Sequence, residues 1–532
     1  MTIDNSFYSI WRNRFLSSQI RKQVFDSLDI MVDLQDLVAN KQYLARLSNE
    51  KISLKLGIKS KEHFIEFLDH SERYLITDLE IDPKVEICRW PKLKEQEQQP
   101  DLIRFDCSLI PDTVTKVTFW VEEGIMGYGK LPNSITELGI QYSGISWHNF
   151  SSRFLDQVLA NLPQQLVSLT LPNSCDIRNQ VVLPNSLCEL KYTSTYDNLK
   201  KLVVPPSVKV YDMCTIQIND EQGLEWLRDN TWINRVVLND VSCIITTNLI
   251  PSHVVALSLS HNHTLEIGAL PAQLQSLVCM YHLPLVRGIV PPKLKYLYVD
   301  EFNEKLERNV LPDTLKTLRI SSFNQPLEPR VLPINLKSLT LDSFNKQLEP
   351  DVLPPSLNEL YLNSYNKPLN PYVLPQSLTK LQMYDFNHPL QASSLPASLT
   401  HLTMDSFCQS LEHVGSLPNL RNVFIAQIDQ YISNLLVNVK DVSLTFQEMT
   451  TSAQPVSLSN TSIEKLVIKS VAQTITIDSG FLPRTLTDLS MTRLAVASSN
   501  VIPEGCLFLK TDIDDLNPEF LPKSIITKKS IN

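Results

Sequence analysis

Glycine is scarce in this chain, with 12 residues among 532 against 33 prolines. A fold that closes its backbone around phosphate needs glycine at fixed offsets. Neither G-x-x-x-x-G-K-[ST] nor G-x-G-x-x-G occurs. H-E-x-x-H and G-x-S-x-G are missing as well, which removes the commonest zinc-hydrolase and serine-hydrolase signatures. No apolar run approaches the roughly 20 residues a membrane-spanning helix needs. Met1 to Phe15 has no signal-like apolar core, so the expectation is a soluble chain.

Cysteine is present but unorganised. Cys88, Cys107, Cys175, Cys188, Cys214, Cys243, Cys279, Cys408 and Cys506 are an odd set with no zinc or disulfide spacing. Free thiols in a reducing compartment follow, cytoplasmic with the nucleus left open. The sequons opening at Asn149, Asn262 and Asn460 then read as chance matches. His261-Asn262-His263 reads as a turn, because two imidazoles fall short of a three- or four-ligand metal site. No metal and no cofactor is expected. A net charge of −9 argues against a dominant nucleic-acid surface.

What is present is a period. An aromatic recurs every 21 residues at Phe302, Phe323, Phe344, Tyr365, Phe386 and Phe407. A Leu-Pro pair keeps the same step at Leu311, Leu332, Leu353, Leu374 and Leu395, and returns at Leu417. Between them runs L-x-x-L-x-L, as in Leu336/Leu339/Leu341 and Leu357/Leu360/Leu362. The last two apolar positions alternate, which predicts a short strand with one buried face. Proline lacks an N–H and belongs ahead of that strand. Pro326, Pro329, Pro350, Pro368 and Pro371 argue against a helix in the return segment. A fixed period of this length predicts a solenoid of stacked, parallel-paired coils, because one coil alone cannot bury its apolar face. The aromatics should form a buried column. Asn303, Asn324, Asn345, Asn366 and Asn387 should satisfy turn backbone groups from one coil to the next.

The unit Leu-Pro-x-Ser/Thr/Asn-Leu-x-x-Leu-x-Leu followed by Phe-Asn-x-x-Leu, as in Phe323-Asn324-Gln325-Pro326-Leu327, resembles the FNIP repeat family, a relative of leucine-rich repeats. It departs at Tyr365 and at Cys408, which stands where the Asn would. The resemblance implies a mainly β, leucine-rich-repeat-like solenoid with a binding role and no catalytic residues.

Away from this stretch the pattern is worn. Residues 1–91 read as an α-helical N-terminal region, with helical spacing from Phe7 to Leu28 and helices over Asp33–Leu47 and Lys61–Leu68, the latter capped by Ser60. Residues 92–100 read as a polar linker. The solenoid is assigned to 101–525, with an insertion around Gly144–Leu155, a short helix within Glu221–Asp240, and a polar tail over 526–532.

Side chains flanking the strand leucines project from one sheet face. Tyr296, Tyr298, Arg319, Tyr361, Lys380, Tyr384 and His401 vary from coil to coil while the leucines do not. Tyr and Arg are favoured at binding hot spots, and an extended concave face suits protein partners. The expectation is a non-enzymatic protein-interaction scaffold without nucleic-acid or membrane contacts. Related repeat proteins sometimes carry an F-box, so a substrate-binding adaptor of a ubiquitin ligase is the alternative, with residues 1–91 as either an F-box-like module or a cap over the open end of the coil.

Overall fold

The computed structural model describes residues 30–42, 44–45, 52–82, 103–121, 125–142, 153–208, 210–239, 244–281, 284–450, 455–513 and 517–530. The chain divides into two compact units, Met1–Val241 and Ser242–Asn532.

In the second unit the 21-residue period is the strand register. Strands Tyr296–Val299, Thr317–Ile320, Ser338–Leu341, Glu359–Tyr361, Lys380–Gln382 and His401–Met404 pair in parallel, each with the next. Leu297, Leu318, Leu339, Leu360, Leu381 and Leu402 oppose one another in unbroken register and are buried. The ladder continues in both directions, from Ala256–Asn262 and Ser276–Met280 to Lys465–Ser470, Asp488–Thr492 and Phe508–Thr511. This is a parallel-strand repeat solenoid.

The Leu-Pro turn sets each strand up. The Pro carbonyl accepts the N–H three residues on, as in Leu336 N to Pro333 O at 3.1 Å and Leu357 N to Pro354 O at 3.1 Å. The next polar residue ties the turn to the preceding coil. Ser356 Oγ lies 2.6 Å from the carbonyl oxygens of both Ile334 and Leu336, and Ser377 repeats this on Pro355 and Leu357.

The return segment closes through one left-handed residue per coil. Asn309, Arg330, Asp351, Tyr372 and Ser393 have φ between 61° and 68°, in phase with Gly288 and Gly415 on either side. The regular coils thus place side chains where the flanking coils use glycine; Asn309 and Asp351 are residue types that tolerate this conformation, while Arg330, Tyr372 and Ser393 carry roughly 1–2 kcal/mol of backbone strain each.

Behind the sheet the six aromatics form a column. Neighbouring ring centroids are 6.1–6.2 Å apart and their planes lie within 2–8° of parallel. All six side chains are fully buried. The Tyr365 hydroxyl donates to Pro368 O at 3.3 Å in its own return segment, not to the Asn row, and burial pushes its pKa up to about 12. Parallel strands stand about 4.8 Å apart, so the coils spread by over 1 Å at the rings. Over these coils the sheet is therefore the inner, concave side.

Beside the rings the Asn side chains form a ladder. Asn303 Oδ1 accepts Asn324 N at 2.8 Å, and the step repeats onto Asn345, Asn366 and Asn387 at 2.9–3.1 Å. Cys408 takes the last step through its backbone N–H. Its thiol has no carbonyl oxygen to extend the row.

The first unit repeats the plan with longer returns. The described part of residues 1–91, expected to be α-helical, carries parallel strands as well as helices. Strands Ile30–Met31, Leu54–Ile58 and Asp78–Ile81 pair in parallel with one another and then with Lys116–Val121. The parallel ladder therefore starts well before residue 101. Helices serve as return segments here, which lengthens the step and hides the phase. Lys61–Asp69 is capped by Ser60, whose side chain accepts His63 N. Leu34–Ala39 is closed by a reciprocal Asp33–Asp36 capping box. Further helices lie at Arg153–Leu159 and Glu221–Asp229. The predicted Phe7–Leu28 helix and the 92–100 linker fall outside the described residues. The tail assignment also changes: Thr527–Ser530 is a strand paired with Phe508–Thr511.

Candidate functional site

The strand positions between the buried leucines face outward on the concave side, and the structure joins them into rows across the coils. Arg319 lies 5.2 Å over the Tyr298 ring and 3.1 Å from the Asp342 carboxylate. Asn363 Nδ2 donates to the other Asp342 oxygen at 2.6 Å, and Gln382 Nε2 donates to Asn363 Oδ1 at 2.8 Å. Ser321 Oγ closes the near end at 3.3 Å from the Tyr298 hydroxyl. This row spans successive coils and immobilises the Arg319 guanidinium between an aromatic face and a carboxylate.

A second cluster centres on Glu359. Lys380 Nζ donates to Glu359 Oε1 at 2.8 Å, and the Tyr361 hydroxyl lies 3.4 Å from Oε2. The Lys380 hydrogen bond holds the Glu359 carboxyl below the usual carboxylate range. The same bond raises Lys380. Burial, then the Glu359 charge, raises Tyr361.

His401 is held from both sides: Nε2 lies 2.8 Å from Asn422 Nδ2, and Nδ1 lies 2.9 Å from Thr400 Oγ1. The amide nitrogen facing Nε2 is a donor, and Thr400 Oγ1 sits against the other ring nitrogen, so both ring nitrogens have a partner. Tyr296 and Tyr384 are exposed, at 37% and 39%, as is Arg319. Asp405 is half-buried one coil on, and burial raises its pKa.

The seven residues thus share one face but do not converge on a point. Tyr298 and Arg319 form one contact, Tyr361 and Lys380 another through Glu359, and Tyr296, Tyr384 and His401 stand apart. No nucleophile–base–orienter arrangement appears among them. Among the described residues there is no group of three or more His, Cys, Asp or Glu placed to hold a metal. His263 is buried, and the side chains of His261 and Asn262 lie outside the described residues. The run Gly124-Ile125-Met126-Gly127-Tyr128-Gly129-Lys130 ends in Leu131, where a phosphate loop needs a hydroxyl, and strand Ile125–Tyr128 passes through it.

Sequence reasoning missed a basin of about 490 Å³ on the same sheet face further along. It is lined by Lys465, Val467, Asp488, Phe508 and Lys510 among others. Val467 is 46% and Phe508 45% exposed. The signal was available: Leu466 and Ile468 point inward, so Val467 must point out. The first unit has a separate cleft of about 520 Å³ along its Leu-Pro turns, lined mostly by Asn, Gln, Leu and Pro.

Cys107, Cys175, Cys214, Cys279 and Cys506 are buried thiols, and burial pushes them up to about 11 or 12, far from thiolate chemistry at neutral pH. Among the described residues no helix is long and apolar enough to cross a membrane.

The FNIP Repeat family model matches residues 281–322, 323–365, 353–385, 365–407 and 386–425, so the chain carries FNIP repeats over 281–425. No curated protein sequence matches the chain. Among solved structures it is similar to CroV588, described as a novel circular LRR protein, at 17% identity, 89% coverage of this chain, 84% of that chain and a TM-score of 0.43. It is also similar to YopM from Yersinia enterocolitica WA-314, at 17% identity, 79% and 87% coverage and a TM-score of 0.38.

Proposed function

We propose that this chain, with FNIP repeats over residues 281–425, is a non-enzymatic scaffold of the cytoplasm that binds protein partners on the concave sheet face of its second unit. The observation that carries this reading is the outward row from Tyr298 through Arg319 and Asp342 to Gln382. It fixes aromatic and charged side chains on a rigid sheet before any partner arrives. Pre-fixed side chains lose less entropy on binding, which is how an extended surface gains affinity from a few anchors. The buried thiols suit a reducing compartment. Among the described residues, nothing on the face positions a group for proton transfer or nucleophilic attack, which favours binding over catalysis.

The test is co-purification of partners with the intact chain and with Tyr298, Tyr361 and Tyr384 all changed to Ala. Loss of recovery with an unchanged melting transition supports the reading. Recovery equal to the unaltered chain contradicts it. A ubiquitin-ligase adaptor is the finer alternative. Its test is whether a ligase subunit accompanies the intact chain and is lost when residues 1–91 are altered. The parallel strands at Leu54–Ile58 and Asp78–Ile81 extend the ladder of the coil itself, which favours the cap over a separate helical module.

A further inference from the structure

Just ahead of the strands, Lys295, Lys316 and Lys337 hold one position on three successive coils. Lys316 N donates to Lys295 O, and Lys337 N to Lys316 O, both at 2.8 Å. All three side chains are exposed. At about 4.8 Å per coil they form a row roughly 10 Å long. The Lys316 and Lys337 ammoniums reach backbone carbonyls of the next coil, Asn335 at 3.5 Å and Ser356 at 3.2 Å. Among the described residues none of the three lies within ion-pairing distance of a carboxylate. Exposed Asp313, on the intervening turn, is beyond that distance too.

Like charges placed directly across a ladder oppose the fold. The cations on the sheet floor are matched, Arg319 by Asp342 and Lys380 by Glu359. Asp300, Asp385 and Asp405, outside ion-pairing distance of any cation among the described residues, sit at the far ends of the strands, while Asp313 lies on the near side with the three lysines. The face is thus polarised across its width, basic where strands begin and acidic where they end. Strand dipoles are too small to demand this.

We infer that the lysine row docks an α-helical segment of a protein partner that carries an acidic stripe and lies along the axis of the coils. This deepens the reading of the sheet as a partner-binding face and rests on it. Charge selects an acidic segment, and spacing selects a helix. Carboxylates at i, i+4 and i+7 recur about every 5.4 Å, which keeps within about 1 Å of the lysine row over its length. Same-face residues of an extended strand recur about every 6.7 Å and drift about 4 Å out of step over the same row. Ile334, 62% exposed on the turn between Lys316 and Lys337, adds an apolar contact for the helix flank. A nucleic acid is disfavoured by the chain's net charge of −9.

The experiment uses the intact chain and two labelled, alanine-based helical peptides of one composition. One has glutamates at i, i+4 and i+7, and the other spreads them around the helix. Anisotropy at low salt should show the striped peptide binding about tenfold more tightly, near 1.4 kcal/mol. Lys316→Glu, on an exposed side chain, should abolish that binding without moving the melting transition. Equal affinity for both peptides, no binding of either, or indifference to Lys316→Glu would overturn the inference. Displacement by single-stranded poly(A) at lower concentration than by unlabelled striped peptide would overturn it in favour of general polyanion binding. If only the peptide arms fail while the tyrosine substitutions still abolish partner recovery, the lysine row is wrong and the concave face stands. If both fail, the face itself is wrong.

Discussion

Phe344 and Tyr365 face each other across adjacent coils with ring centroids 6.2 Å apart and planes 4° from parallel. Phe323 stands on the other side of Phe344 at 6.2 Å and 5°. Each ring therefore has an equivalent ring above and below, and its cavity cannot collapse without moving both neighbouring coils.

Phe344→Ala is expected to cost about 3–5 kcal/mol, the range for deleting a buried aromatic. In a solenoid, stability is close to a sum of nearest-neighbour terms, so the loss should be local. Hydrogen exchange should loosen most between Leu311 and Leu374 and leave distant coils protected. Uniform loosening, or no change, would contradict the column as a stabilising element.

Asn345 links the same coils through backbone groups. Its Oδ1 accepts Asn366 N at 3.0 Å, while its own N–H donates to Asn324 Oδ1 at 2.9 Å. Asn345→Ala should cost about 1 kcal/mol by removing one acceptor. Asn345→Asp keeps the acceptor and should recover most of that loss. Chemical denaturation orders the three proteins, and an aspartate variant no better than alanine would refute the ladder's role.

Tyr372 has φ of 64° and is 75% exposed. Its side chain has little packing to lose, so Tyr372→Gly trades relief of strain against a more flexible unfolded chain and should leave stability equal or up to about 1 kcal/mol higher. Tyr372→Val puts a β-branched residue at positive φ and should lower stability by about 1 kcal/mol or more. Melting temperatures in the reverse order would contradict the left-handed closure of the return segment.

The Glu359–Lys380 pair sets a pH window. Lys380 depresses the Glu359 pKa, so that contribution is present above about 4.3 and is lost as pH falls through the lower folded value. Glu359 raises the Lys380 pKa, so that contribution is present below about 10.4 and is lost as pH rises through the higher folded value. Lys380→Gln should move the Glu359 carboxyl midpoint upward in a carbon-detected NMR titration. An unmoved midpoint would mean that the pair does not persist in solution.

The coils from Leu294 to Ile425 were legible because period, register and burial coincide there. One residue of drift would have turned Leu339 and Leu341 outward. The earliest coils were not legible. Leu54/Leu56/Ile58 and Leu79/Ile81 have the right alternation, but helix Lys61–Asp69 stands between them and breaks the step. The outward positions could be named from alternation alone. Their partners could not, because Arg319 to Asp342 and Lys380 to Glu359 depend on side-chain reach between neighbouring coils. The Val467–Phe508 basin was not legible because Phe508 lies where the regular repeat has decayed.

Hydroxyl-radical footprinting of the intact chain, alone and with a co-purified partner, tests the central claim most directly. Protection is expected at Tyr296, Tyr298, Tyr361 and Tyr384 on the sheet, with Tyr372 on the return segment unchanged. Protection of Tyr372 with the four sheet tyrosines still reactive would place the partner off the sheet face and contradict the account.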